Sequence, residues 1–170
     1  MRRNALKIPH SFPLTPHEYF SMRPILVSAC LLGLATRFDG TSKRNERVLA
    51  YLRNENRIPI PVCPEQLAGL PTPRPQTWFA TGGGAEVLDG AGEVVNCQGL
   101  VMNESFVRGA GETLRIARLA GCTEALLKER SPSCGVLQIH RDRQVVSGRG
   151  VTCALLERSG IKVFSEEDLS

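Results

Sequence analysis

Six cysteines stand among 170 residues, and three of them occupy equivalent places. Cys30 follows the apolar run ILVSA (25–29), Cys63 follows IPIPV (58–62), and Cys134 lies in the turn SPSCG just after EALLKE (124–129). Short apolar runs bounded by proline, glycine or charge read as buried strands. In an open parallel sheet the C-terminal ends of the strands share one edge, and ligands bind in the crevice there. The pattern therefore predicts three thiols, distant in sequence, meeting at one end of a sheet. Backbone N–H groups at such turns and helix starts are expected to lower the pKa of each thiol. Three thiolates suit zinc or an iron–sulfur cluster, and spacing alone does not choose between them. Plain burial of small hydrophobic residues is the competing account, and placement of all three at strand ends disfavours it. No CxxC pair exists, so a zinc ribbon or a thioredoxin-like motif has no foothold.

The elements that must position these thiols run in order along the chain. After the first strand, residues 42–56 carry Val48, Leu49 and Leu52 at helical spacing, with Ser42 as the expected cap. The two prolines of IPIPV confine that strand to a sheet edge or to irregularity. Residues 64–84, with GLPTPRP and TGGG, read as a long loop, and VLDGAGEVVN as a small hairpin. Residues 103–119 form the clearest helix, with Asn103 as cap and Phe106, Ala110, Leu114, Ala117 and Leu119 as its apolar face; Gly121 ends it. EALLKE is a third strand, residues 137–146 a short hairpin, residues 151–158 a helix closed by Gly160, and IKVF (161–164) a last strand. The alternation of strands and helices predicts an α/β fold: a small, mostly parallel open sheet, Rossmann-like, with helices on its faces. Residues 1–22 read as an N-terminal arm and residues 23–170 as a single domain.

Bulk properties bound the function. Hydrophobic residues make up 42% of the chain, enough for a core without disulfide staples. Aromatic content is 5%, which weakens any reading built on stacked bases, and a net charge of +4 is too mild to argue nucleic-acid binding. No stretch approaches the roughly 20 apolar residues of a membrane span. Prolines and charges interrupt the basic N-terminus before an apolar signal segment forms, so a cytoplasmic location is expected. Six cysteines in a reducing compartment point to metal binding, catalysis or burial rather than disulfides.

The segments SACLLG with RFDG, VCPEQLAGLPTPRP and LKERSPSCG resemble the bacterial thiouracil desulfurases. The likeness continues through EVLDG, FVRGAGETLRIA and GVTCALLERSGIKVFSEE, and it covers residues 23–167. It implies a 4Fe–4S cluster at the strand ends, held by Cys30, Cys63 and Cys134, with one iron free of protein ligands. That iron would bind the sulfur of a thiolated pyrimidine as a Lewis acid, without redox chemistry. Water would replace sulfur at the carbon, and sulfur would stay on the cluster. The exchange needs proton transfers. Glu65, two residues from a ligand, is the expected acid–base group, and Ser131 the expected donor or proton relay. Each also has a plainer reading as a cap of its own turn. Asp39 and Arg74 are expected to orient substrate or brace the loop, bracing being the commoner role for an arginine between prolines.

Two departures from the family pattern stand out. Many relatives carry a second cysteine just before the segment that matches RFDG; this chain has Thr36, which supports a three-ligand scheme. After PRP the chain reads QTWFATGGGAE where relatives usually carry an acidic residue, which leaves substrate contacts there open. Among the other residues, Cys97, Cys122 and Cys153 read as buried or incidental, His10 and His17 as solvated in the arm, and His140 as a surface histidine. TGGGAE lacks the Lys-Ser/Thr pair of a phosphate loop. Arg141, Arg143 and Arg149 form a small basic cluster that reads as solvated surface, or as a contact for an anionic substrate or RNA. The expected partner is a small thiolated pyrimidine base or nucleoside. Desulfuration of thiolated tRNA, sulfur transfer in the reverse direction, and a non-catalytic zinc-stabilised binding module are the alternatives.

Overall fold

Ile25, Leu26 and Val27 are completely buried, and the strand they form, β1 (Arg23–Ser28), lies inside a four-stranded parallel sheet. The computed structural model describes Met22–Leu169, so the expected arm, with His10 and His17, lies outside the described residues apart from Met22. A strand covered on both faces has no polar side to show, which explains the unbroken apolar run. β1 pairs in parallel with β2 (Arg57–Val62) on one side and with β5 (Glu124–Leu127) on the other, and β8 (Lys162–Ser165) pairs with β5. The order is β2-β1-β5-β8, which places Pro59 and Pro61 on an edge strand, where a missing N–H costs little. The chain leaves β1 to one side for β2 and returns to the other side for β5. That reversal marks a topological switch point beside β1.

Alternate residues of β1 serve different layers. Leu26 packs with Leu114, Ala117, Cys153 and Leu156 from α4 (Asn103–Ala120) and α5 (Val151–Arg158). Ile25 and Val27 pack with Val48 and Leu52 of α1 (Glu46–Asn54) on the other face. The cap of α1 is Asn45 rather than Ser42; its side chain accepts from Arg47 N at 2.9 Å and Val48 N at 3.3 Å. Residues 42–45 are committed elsewhere, since Lys43 N donates to Cys30 O and Asn45 N to Leu31 O, each at 2.9 Å. This strap fastens the single 3-10 turn Ala29–Leu32 that carries Cys30.

A second sheet, which periodicity alone does not separate from the first, has the order β4 (Glu93–Asn96), β3 (Thr77–Thr81), β6 (Gln138–Arg141), β7 (Gln144–Ser147). The segment expected as a long loop contains α2 (Pro64–Leu67) and β3 (Thr77–Thr81). The segment expected as a hairpin is the short helix α3 (Gly84–Leu88), followed by β4 (Glu93–Asn96), which pairs antiparallel with β3. A local bond opens this helix, with Gly83 N donating to Glu86 Oε2 at 2.9 Å, and a distant partner, Arg158, grips both oxygens of Asp89 at 2.7 Å just past its end. The glycines of TGGG serve packing. Gly84 N donates to Arg149 O at 2.7 Å, and a Cβ on Gly84 would collide with the backbone of Gly150. The expected C-terminal hairpin is confirmed as β6 (Gln138–Arg141) and β7 (Gln144–Ser147), with positive φ at Asp142 and Arg143 in its turn. Both halves of this sheet are insertions, one after β2 and one after β5, and their apolar side rests on Phe106, Ala110 and Val151 of α4 and α5.

Asn103 opens α4 but does not cap it; its side chain accepts from Val94 N and donates to Gly92 O, both at 2.8 Å, and so ties the helix to β4. Leu119, expected on the apolar face, is 89% exposed because it lies two residues, about 200°, beyond the buried Ala117. Gly121 closes the helix in the left-handed region, as expected. None of the described helices is long and apolar enough to cross a membrane.

This packing can be tested in two ways. A Cβ on Gly109 of α4 would strike the Pro64 carbonyl, so Gly109→Ala should cost about 1–3 kcal/mol in a denaturant melt by pushing α2 off α4. Cys97 is exposed, whereas Cys122 and Cys153 lie in the core and burial pushes the Cys153 thiol up to about 12. Alkylation of the native protein should label Cys97 rapidly and leave Cys122 and Cys153 unmodified until unfolding, as read by peptide mass spectrometry.

Candidate active site

The parallel strands deliver the residues at their C-terminal ends to one place. Cys30, Cys63 and Cys134 all line a single cavity of about 480 Å³ beside the strand ends. That volume falls within the ~300–1,000 Å³ of small-molecule sites. Ser28, Ala29, Val62 and Lys128 of the parallel sheet's ends line it together with Thr77 and His140 from the second sheet and with Gln76 just before β3. His140, half-buried, therefore stands on the cavity wall. Its strand alternation is as expected, but the second sheet that turns this side chain inward leaves no mark on the local sequence.

Each cysteine is set by a different local device. Cys30 sits in its 3-10 turn, which Gly33 ends in the left-handed region at φ 99°. Cys63 is the N-cap of α2, with Pro64 at the first helical position, where its missing N–H is harmless. The Cys63 thiol donates to Thr36 O at 3.5 Å. Thr36 thus meets the site through its carbonyl. Cys134 lies in a tight turn in which Ser131 Oγ accepts from Ser133 N at 3.2 Å and from Cys134 N at 3.1 Å, and Gly135 N donates to Ser131 O at 2.8 Å.

Cys30 and Cys134 are not acidified by their turns as expected. Burial, reinforced by the neighbouring Cys63, pushes Cys30 up to about 11, with Lys128 and Arg37 pulling the other way. Burial likewise raises Cys134 well above the ordinary range; a hydrogen bond with Ser28 opposes this, while Cys63, Cys30 and Glu65 add to it. All three cysteines share the lining of the one cavity. A bound metal's own positive charge is what converts such thiols to thiolates. Among the described residues no three Cys, His, Asp or Glu side chains close into the shell a single metal ion requires. Three separated thiols around a roomy cavity, with cationic side chains beside them, are a donor set that fits a polynuclear cluster.

Glu65 lines the same cavity in the first turn of α2. Its Oε2 accepts from Arg74 Nε at 2.6 Å, and both side chains are nearly buried. Arg74 also donates through Nη2 to Thr36 O at 3.0 Å and approaches Cys63 Sγ at 3.8 Å, while Nη1 reaches Thr72 Oγ1 at 3.1 Å and Pro71 O at 3.3 Å. The arginine between prolines therefore braces its loop, as expected, and also touches the site. Ser131 lines the cavity and caps its turn, so both readings of it hold. Asp39 is not among the lining residues. It holds Arg37, which is, through Nε–Oδ1 at 3.3 Å and Nη2–Oδ2 at 3.0 Å, and with Thr41 these bonds keep its carboxyl well below the usual carboxylate range.

Sequence reasoning missed Lys128, Glu129 and Glu166. Lys128 Nζ pairs with Glu166 and donates to Glu129 O at 3.1 Å at the cavity wall, and Lys128 N donates to Ser28 Oγ at 2.9 Å. The charged pair of residues ending EALLKE was the available signal. Of the basic cluster, Arg141 donates to Gly82 O, Arg143 lies over the Trp78 ring at 4.8 Å, and Arg149 pairs with Glu157, so all three have structural partners.

A family profile described as 2-thiouracil desulfurase matches residues 25–168. The Bacillus subtilis (strain 168) protein YbbK, described as uncharacterized, is 35% identical over 149 residues, which cover 86% of this chain and 97% of YbbK. The fold matches a solved structure of the 4Fe–4S-dependent thiouracil desulfidase TudS with a TM-score of 0.74 and 42% identity, over 86% of this chain and 93% of that one. Identities of this size over nearly the whole described fold leave one assignment: the chain belongs to the 2-thiouracil desulfurase family.

Proposed function

We propose that this protein removes sulfur from a thiolated pyrimidine of the 2-thiouracil type by non-redox hydrolytic exchange, using a 4Fe–4S cluster held by Cys30, Cys63 and Cys134. The observation that carries this reading is the convergence of those three thiols with Glu65 and Ser131 on the wall of one cavity. Membership of the 2-thiouracil desulfurase family and the 4Fe–4S dependence of TudS support the same cofactor and reaction class. Held by those three thiolates, such a cluster would supply a Lewis acid for the thiocarbonyl sulfur and so make the carbon more open to water.

The chain's own residues supply the rest. Glu65, fixed by Arg74, takes one proton from the attacking water and passes it to the departing sulfur as the tetrahedral carbon collapses; the hydroxyl left on the carbon gives up the second as the C=O forms, so the sulfur leaves at the level of hydrogen sulfide. Ser131 Oγ accepts two backbone N–H bonds with its lone pairs, which leaves its own O–H free to donate into the cavity. Arg37 and Lys128 act against negative charge at Cys30, and Arg74 acts against that of Glu65 and Cys63. The substrate is a free base or nucleoside, and the location cytoplasmic. The zinc-module alternative is not favoured by membership of the 2-thiouracil desulfurase family or by the 4Fe–4S dependence of TudS.

Anaerobic reconstitution followed by incubation with 2- and 4-thiouracil, their nucleosides and thiolated tRNA tests the proposal. Sulfide and the oxygenated pyrimidine should appear in equal amounts and only with the brown, iron-loaded protein. A colourless protein carrying stoichiometric zinc after anaerobic purification would sink it. Glu65→Gln should keep the iron–sulfur absorption while sulfide release falls about 10²–10⁴-fold, the range of a lost general acid–base. Wild-type turnover by that variant would remove Glu65 from the mechanism.

A further inference from the structure

After β5 the chain makes an excursion through residues 130–137 before β6 begins at Gln138, and this loop delivers both Ser131 and Cys134 to the cavity. Its ends are tied by Arg130 N donating to Gln138 O at 3.2 Å. Glu129, only 3% exposed, turns its carboxylate into the loop. Oε1 accepts from Arg130 N at 3.2 Å, Val136 N and Leu137 N at 3.1 Å, and Gln138 N at 2.8 Å. Oε2 accepts from Leu137 N at 3.3 Å. Three consecutive amides on the return limb thus aim at one side chain, and buried amides without an acceptor would be costly. The base of this device is fixed in turn, because Glu166 Oε2 accepts from Glu129 N at 2.9 Å while its other oxygen pairs with Lys128.

We propose that Glu129 is a positioning residue: its carboxylate gathers the backbone amides of residues 130 and 136–138 and thereby sets the loop that holds Cys134 and Ser131 at the cluster. This rests on the reading of Cys134 as a cluster ligand. A carboxylate suits the task because both of its oxygens only accept. A glutamine keeps one acceptor but presents an NH₂ group where the second oxygen now meets the Leu137 amide. The carboxylate stands in for the partner strand or water that would otherwise satisfy this limb. It sets backbone geometry one step away from the sulfur, as groups behind metal ligands do.

The test uses anaerobically reconstituted wild-type protein with Glu129→Ala, Glu129→Gln and, as a destabilised control, Glu124→Ala. Glu124 pairs with the buried Arg57 at the other end of β5. Thermal melts by circular dichroism give stability; iron release to a chelator and the EPR spectrum of the reduced cluster report ligand geometry. Iron release should quicken about 10–100-fold in Glu129→Ala, the usual effect of losing a group behind a metal ligand, with an altered EPR line shape. Glu129→Gln should fall between, and Glu124→Ala should keep a wild-type cluster despite a lowered Tm. In the apo-proteins, exchange protection of the Val136, Leu137 and Gln138 amides should be lost in Glu129→Ala. Wild-type iron release and EPR in both Glu129 variants would overturn the proposal, as would equal iron loss in Glu124→Ala at a matched Tm. If Glu129→Ala does not fold, Glu129→Gln decides by the same readouts. A wild-type protein that takes up no cluster would defeat the proposed function and this inference with it. Uptake by wild type with unaffected variants would defeat the positioning role alone.

Discussion

The parallel pairing of β1 with β2 on one side and β5 on the other is the interaction on which the rest of this protein depends. Parallel neighbours end at the same edge, so the turn after each strand comes within reach of the turns after its neighbours. Burial of Ile25, Leu26 and Val27 on both faces makes β1 the anchor of that sheet. Reversing one strand would carry its cysteine to the far edge. Three thiols separated by 33 and 71 positions, Cys30 to Cys63 to Cys134, meet only because every strand runs the same way.

Parallel pairing also demands long crossovers, and the protein puts them to use. The connections leaving β2 and β5 both carry insertions before their helices, and these fold into the second sheet. Its residues Thr77 and His140, with Gln76 just before β3, complete a cavity whose other walls are the strand ends. The site is therefore enclosed by the same connections that the topology requires.

Charged groups drawn into this enclosure are each held by several partners. Arg74 spans Glu65, Thr36 and the vicinity of Cys63; Glu166 joins Lys128 to the start of the Cys134 loop; Glu129 collects the loop's amides. Burying such groups is a doubtful source of stability, because desolvation offsets most of the attraction. Their value lies in fixing side-chain and loop positions around the thiols.

Much of this was legible in the chain. The apolar runs before Cys30 and Cys63, the edge prolines of β2, the 103–120 helix and its Gly121 stop, and the β6–β7 turn all follow from periodicity and local propensity. These features depend on neighbours a few residues away, so composition and spacing determine them. The family was legible as well, from motifs that cover residues 23–167. Local rules failed where a distant partner outbids a near one. Asn45 caps α1 because residues 43 and 45 bond to the Cys30 turn, and β3, which follows the prolines of a segment that reads as loop, is held as a strand by β4 and β6 pairing with it. The candidate ligands Cys30, Cys63 and Cys134, and their strand-end placement, were set by the sequence alone. Their raised pKa values at Cys30 and Cys134, the inward turn of His140, the arginine brace on Glu65 and the carboxylate inside the Cys134 loop were decided by tertiary structure. Burial, charge and backbone satisfaction are properties of the surroundings of a residue in space, and a one-dimensional pattern does not record them.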